Sequence, residues 1–184
     1  LTPSQSIARL PDELICLEAV GSPEATVKAT LKDSVISLKP QPKHLLPPNY
    51  TVLTGNNEPL GKPNQLYQGC FTAENPDNLG NPVYTMNLGE ETFTVSETGE
   101  ITILSPEALK VIEVTAAEGV ARTGPGTSYS RLTPLPQGTM AIVNGRQGDW
   151  LRLEYGAWIK AEETELKSDV ATVQTMIRSI QGEQ

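Results

Sequence analysis

Few residues in this sequence are equipped to do chemistry. His44 is the only histidine, and it lies between Lys43 and Leu45 in a stretch that also holds Pro40, Pro42, Pro47 and Pro48. A zinc hydrolase needs several nitrogen, sulfur or carboxylate ligands, which one imidazole cannot supply. Cys16 and Cys70 are the two thiols. Either is a conceivable nucleophile with His44 as base, but neither carries a flanking peptidase signature. Adjacent acids stand at Glu90-Glu91 and Glu162-Glu163. Nothing next to them would raise one carboxyl pKa while leaving a base beside it, so they read as solvated turn surface. Gly124-Pro125-Gly126 lacks the following Lys-Ser/Thr and the helix of a phosphate loop. The inventory assigns no catalytic residue, no metal ligand and no cofactor, and this chain alone is not expected to be an enzyme.

The aromatic residues are more informative. In Trp150-Leu151-Arg152-Leu153-Glu154-Tyr155 the alternation is that of a strand, with Leu151 and Leu153 on one face. Trp150 then shares the opposite face with Arg152 and Glu154. The same parity puts Trp158 with Lys160, opposite Ala157 and Ile159. Both tryptophans thus fall on a polar face, where a large ring is unusual without a partner. Two readings are open: a binding surface for sugar or peptide, or a ring that covers the open end of a small barrel.

The elements that position these residues are short strands. The chain has 184 residues, 38% of them hydrophobic, with 15 Pro and 15 Gly, which favours strands and loops over helices. The expected fold class is mainly β with little helix: a small closed barrel over 112–166, preceded by a second β-rich domain over 26–105. Residues 1–25 form an N-terminal segment, 106–111 a hinge, and 167–184 a tail or the start of a further domain. The net charge of −8 divides as −6 up to Lys110 and −2 beyond. No basic patch results, so nucleic acid is not an expected partner. No apolar run is long enough to span a bilayer. The chain begins at Leu1 rather than Met, which suits a trimmed product but equally a chosen boundary.

In the first domain, Val27, Ala29 and Leu31 alternate with Lys28, Thr30 and Lys32. That predicts a half-buried strand, a turn at Lys32-Asp33-Ser34 and a return strand from Val35 to Leu38. Leu14, Ile15 and Leu17 fit one helical turn or a strand equally. Residues 75–82 read as a loop, followed by a three-strand meander over 83–88, 92–95 and 101–104. Ser105 and Pro106 predict one capped helical turn. In the barrel, Asn144-Gly145 predicts a hairpin turn, with Gln147-Gly148 close behind. Met140 and Ile142 point outward beside inward Ala141 and Val143, and are expected to dock on the first domain. Beyond the barrel, Val170, Val173, Ile177 and Ile180 share one face of a predicted helix.

The run Val120-Ala121-Arg122-Thr123-Gly124-Pro125-Gly126-Thr127-Ser128-Tyr129 resembles the signature loop of bacterial SH3 (SH3b) domains. So do Leu132, Gly138-Thr139, Gly148-Asp149-Trp150 and Gly156-Ala157-Trp158-Ile159, in matching order and spacing. One departure is Gly119, where a large apolar residue usually stands, so the first strand is expected to bulge or pack less well. This barrel variant, in its stretches 128–139 (SYSRLTPLPQGT) and 148–164 (GDWLRLEYGAWIKAEET), is also similar to the SH3-like module in the noncatalytic N-terminal part of cyanobacterial N-acetylmuramoyl-L-alanine amidases. The resemblance implies a noncatalytic module that binds peptidoglycan or positions a hydrolase, in the periplasm or cell wall. Its partners would be peptidoglycan, the stem peptides, or a cell-wall hydrolase domain. The alternatives are a periplasmic protein–protein scaffold and, third, a hydrolase using Cys70. With the barrel closed as in the family, Arg122 and Tyr129 come near Trp150 and Trp158. These four are the expected ligand-binding residues, with Arg122 pairing a stem-peptide carboxylate. The extracytoplasmic setting also implies a Cys16–Cys70 disulfide, against the alternative of two buried thiols.

Overall fold

The computed structural model describes residues 1–42 and 64–169. It is mainly β, with 54% strand against 4% helical residues. His44 and the apolar face predicted over Val170, Val173, Ile177 and Ile180 lie outside the described residues.

The first lobe is a six-stranded sheet. Its strands are β2 (Ile15–Gly21), β3 (Thr26–Leu31), β4 (Ser34–Pro40), β5 (Gln65–Phe71), β7 (Val83–Leu88) and β8 (Glu91–Ser96). They lie in the order β2-β5-β4-β3-β7-β8. The period-two pattern of β3 works as expected: Val27, Ala29 and Leu31 are buried while their neighbours face solvent. Lys32 takes a left-handed φ of 52° and turns the chain into β4. The ambiguous run around Leu14–Leu17 resolves as strand β2, which pairs with β5 from Ile15↔Phe71 to Gly21↔Gln65. Cys16 and Cys70 stand directly opposite in that pairing, on the exposed face, and are joined by a disulfide. Leu17, Ala19, Tyr67 and Tyr84 share the core of this lobe with Ile101 and Ile103.

Two expectations for this lobe need correction. Residues 75–82 are not a loop throughout, because β6 (Asp77–Gly80) is a short strand paired with β9 (Ile101–Ile103). Nor does β9 complete a meander. β7 and β8 form a hairpin, but the chain then leaves that sheet. β9 instead runs parallel to β1 (Ile7–Arg9), from Ile7↔Ile101 to Arg9↔Ile103. Gly99 makes this possible, since a Cβ there would collide with the backbone of Pro3 and Gln5.

The second lobe is a strongly curled sheet of β10 (Lys110–Val114), β13 (Met140–Gln147), β14 (Trp150–Leu153), β15 (Trp158–Lys160) and β16 (Thr164–Asp169). A short ribbon of β11 (Glu118–Gly119) and β12 (Leu135–Pro136) lies beside it. Ile112, Val114, Ala141, Leu153 and Ile159 form its core. The missing side chain at Gly119 leaves no defect: Val114 Cγ1 and Ile159 Cδ1 lie 2.8 and 2.9 Å from where a Cβ would stand. A 3-10 turn (Pro106–Ala108) joins the lobes with Pro106 in its first turn, as predicted, but the Ser105 side chain makes no capping bond.

The hairpin turn falls elsewhere than Asn144-Gly145. β13 runs through both residues with a bulge, and the chain reverses at Gly148-Asp149, where Gly148 has φ +55°. The sequence 1–25 is not a separate piece either, for it supplies β1 to one sheet and β2 to the other. β1 also pairs antiparallel with β13, through Ile7↔Gln147 and Ala8↔Arg146. The sheet order β15-β14-β13-β1-β9-β6 therefore runs unbroken from one lobe into the other. Of the two residues expected to dock, Met140 is 52% exposed opposite Glu113, whereas Ile142 is half-buried opposite the buried Val111. The N-terminal strand makes the connection between the lobes.

Candidate binding surface

The register of β14 with β15 pairs Trp150 with Lys160 and Arg152 with Trp158. These four side chains share one face, as the alternation predicts. The core residues Leu151 and Ile159 share the other.

Trp158 is nevertheless buried, at 8% exposure. The cover comes from the N-terminal segment. The Arg9 guanidinium lies 5.8 Å from the centre of the Trp158 ring and that of Arg152 6.0 Å, both within cation–π range. Arg9 is fixed by donating to Arg146 O at 2.9 Å and Gln147 Oε1 at 3.0 Å. Arg152 donates to both carboxylate oxygens of Glu13, at 2.6 and 2.7 Å. It also donates to Asn144 Oδ1 at 2.8 Å and Asn144 O at 2.9 Å. The bulge at Asn144-Gly145 makes room for this. A Cβ on Gly145 would stand 2.8 Å from Arg152 Nε.

The charges respond to this crowding. Burial lowers the Arg9 pKa, and Arg152 lowers it further while Glu13 opposes both. Burial would raise the Glu13 carboxyl, but the hydrogen bonds from Arg152 and the Leu10 amide, with the charges of Arg152 and Arg9, hold it below its ordinary value. Glu13 is therefore the anion that lets two arginines approach one ring. Trp158 belongs to the contact between the lobes, and its assignment as a ligand-binding residue is corrected on that ground.

Arg122 also departs from its expected role. It is 9% exposed, and Nη1 donates to Thr127 O at 2.9 Å and Tyr129 O at 2.8 Å. Its backbone N–H and C=O exchange bonds with Trp158, both at 2.8 Å. Nε is buried without a partner. The guanidinium thus braces the Gly124-Pro125-Gly126 loop from within and does not face a carboxylate in solution. The loop ends are clasped by Thr123 N–H to Ser130 O at 3.0 Å and Leu132 N–H to Ala121 O at 2.9 Å. Tyr129 lies against Gly124, where any Cβ would collide with the ring, and is 47% exposed.

Trp150 is half-buried and lines a cleft of about 480 Å³ with Asp149, Lys160, Ala161 and Glu162. Lys160 Nζ pairs with Glu162 Oε1 at 3.1 Å at its rim. Tyr129 is not among the residues lining this cleft, so the four expected residues do not gather in one groove. Tyr129 and Trp150 offer two separate aromatic surfaces, while Arg122 and Trp158 work underneath. Arg9 and Glu13 were missed because they bracket Leu10-Pro11-Asp12, a turn that gives no sign of its partner so far along the chain.

Among the described residues, no group of three or more His, Cys, Asp or Glu is placed to hold a metal ion. No helix there is long and apolar enough to cross a membrane. No family model, no curated protein and no solved structure matches the chain.

Proposed function

We propose that this chain is a noncatalytic, wall-associated module in which an SH3b barrel and a second β lobe bind peptidoglycan or position a hydrolase domain. The observation that carries this reading is Tyr129. Its ring is half-exposed on a loop braced by Arg122 and clasped at both ends, so contact with a sugar or stem-peptide surface orders little that is not already ordered. The residues resembling SH3b domains, from Val120 to Tyr129 and in Gly156-Ala157-Trp158-Ile159, support the same class. The Cys16–Cys70 disulfide suits an oxidising compartment such as the periplasm or cell wall. By the resemblance, the reaction served is that of an N-acetylmuramoyl-L-alanine amidase, with its catalytic groups outside these residues.

Sedimentation with purified peptidoglycan tests the proposal. Wild type is expected in the pellet and Tyr129→Ala in the supernatant, with little change in thermal unfolding, because Arg122 braces the loop through backbone carbonyls that the substitution leaves in place. Trp150→Ala reports on the second aromatic surface in the same assay. Wild type that stays in the supernatant, or Tyr129→Ala that pellets equally, would overturn the reading. A scaffold role through protein contacts is the second reading, and a sheet edge that the described residues leave open in the first lobe favours it.

A further inference from the structure

β8 ends the six-stranded sheet, and among the described residues β7 is its one neighbour. Register places Phe93 opposite Met86 and Val95 opposite Tyr84. Tyr84 is 3% exposed and Met86 packs on the core, so this is the core-side face of the sheet. Yet Phe93 and Val95 are each 52% exposed. The apolar face runs past the core onto a strand that the described residues leave uncovered.

Among the described residues the backbone of that strand is open as well. Glu97 N–H donates to Pro82 O at 3.0 Å, which sets the parity of the β7–β8 ladder. Val95 and Phe93 exchange bonds with β7, while Thr92, Thr94 and Ser96 turn their N–H and C=O groups to the outer edge. Natural edges are blunted by proline, lysine, bulges or shortness. This one has six residues with no proline, lysine or bulge, and its one charged residue is Glu91 at the first position.

Charge indicates what would fit. Glu90 and Glu91 stand at one end of β8 and Glu97 at the other, and residues 63–109 contain no lysine or arginine. Lys28 sits across from Thr85, on the opposite face and two strands in. A second copy is disfavoured. Antiparallel self-pairing centred on Thr94 would put Glu91 against Glu97 twice, where like charges directly opposite destabilise a sheet.

We propose that the outer edge of β8 receives an extended segment of another protein as an added strand. Its apolar side chains cover Phe93 and Val95, and its flanking lysines or arginines meet Glu91 and Glu97. This surface stands apart from Tyr129 and does not depend on the peptidoglycan reading.

The probe is a fluorescein-labelled peptide of alternating valine and threonine with lysines at both ends, compared by anisotropy with one ended in glutamates. Wild type is expected to bind the lysine-ended peptide about tenfold tighter. Thr94→Pro removes an outward N–H at an edge position where proline is tolerated, and is expected to abolish binding without changing thermal unfolding. The double variant Glu91→Lys/Glu97→Lys is expected to reverse the preference, which a misfolded protein would not do. No binding to wild type, equal binding of the two peptides, or retained binding in Thr94→Pro would overturn the proposal. So would a wild-type dimer in sedimentation that Thr94→Pro dissociates, which would give the edge to a second copy.

Discussion

Trp150 and Trp158 occupy neighbouring positions on the same face of one hairpin, yet one lines an open cleft and the other is buried. The strand pattern around them is the same. What differs is the cover. Arg9 and Glu13, brought in by β1, close the face over Trp158 and stop short of Trp150. Alternation decides which face a ring occupies, and distant chain decides whether that face is surface. The same contrast separates Arg122 from Tyr129, one bracing the loop from inside and the other displayed upon it.

Truncating the two rings gives the largest expected difference. Trp158→Ala removes the shared partner of two arginines from a buried position and is expected to cost about 3–5 kcal/mol. Trp150→Ala, with its ring half-exposed, is expected to cost about 1 kcal/mol or less. Urea denaturation of both variants measures this, and equal losses would erase the distinction.

A smaller effect isolates the electrostatic part of the cover. Glu13→Gln leaves Arg152 and Arg9 side by side without their anion, and is expected to cost about 1–2 kcal/mol at neutral pH. The folded-state pKa of Glu13 is depressed. Its contribution is therefore present above the unfolded value near 4.5 and lost as pH falls through the folded value. Wild type and variant should converge in stability as the pH is lowered through and below that range. A gap that stays constant down to low pH would assign the loss to packing alone.

Much of the local structure was legible in the sequence. Val27, Ala29 and Leu31 announced β3, and the alternation from Trp150 to Leu153 announced β14, because period two is a local signal that burial on one face enforces. The largest misreading comes from pairing between residues far apart in the chain. β9 looked like a third meander strand, but its partner is β1 at the N-terminus. Asn144-Gly145 looked like a turn, but it is a bulge that seats Arg152. Of the candidate site, the residue types and faces were readable, whereas the burial of Arg122 and Trp158 was not. The first depends on how the Gly124-Pro125-Gly126 loop folds back to present the Thr127 and Tyr129 carbonyls, the second on a charge that arrives from the N-terminal strand.

The two tryptophans are the only ones in the chain, so each can be read alone by acrylamide quenching of fluorescence. Trp150→Phe leaves Trp158 as the reporter, and Trp158→Phe leaves Trp150. The structure predicts weak quenching in the first protein and strong quenching in the second, with the first becoming strongly quenched when Arg9→Ala and Glu13→Ala are added. Equal quenching of Trp150 and Trp158 in the two single variants would contradict the claim that the N-terminal segment closes one end of this face and leaves the other open.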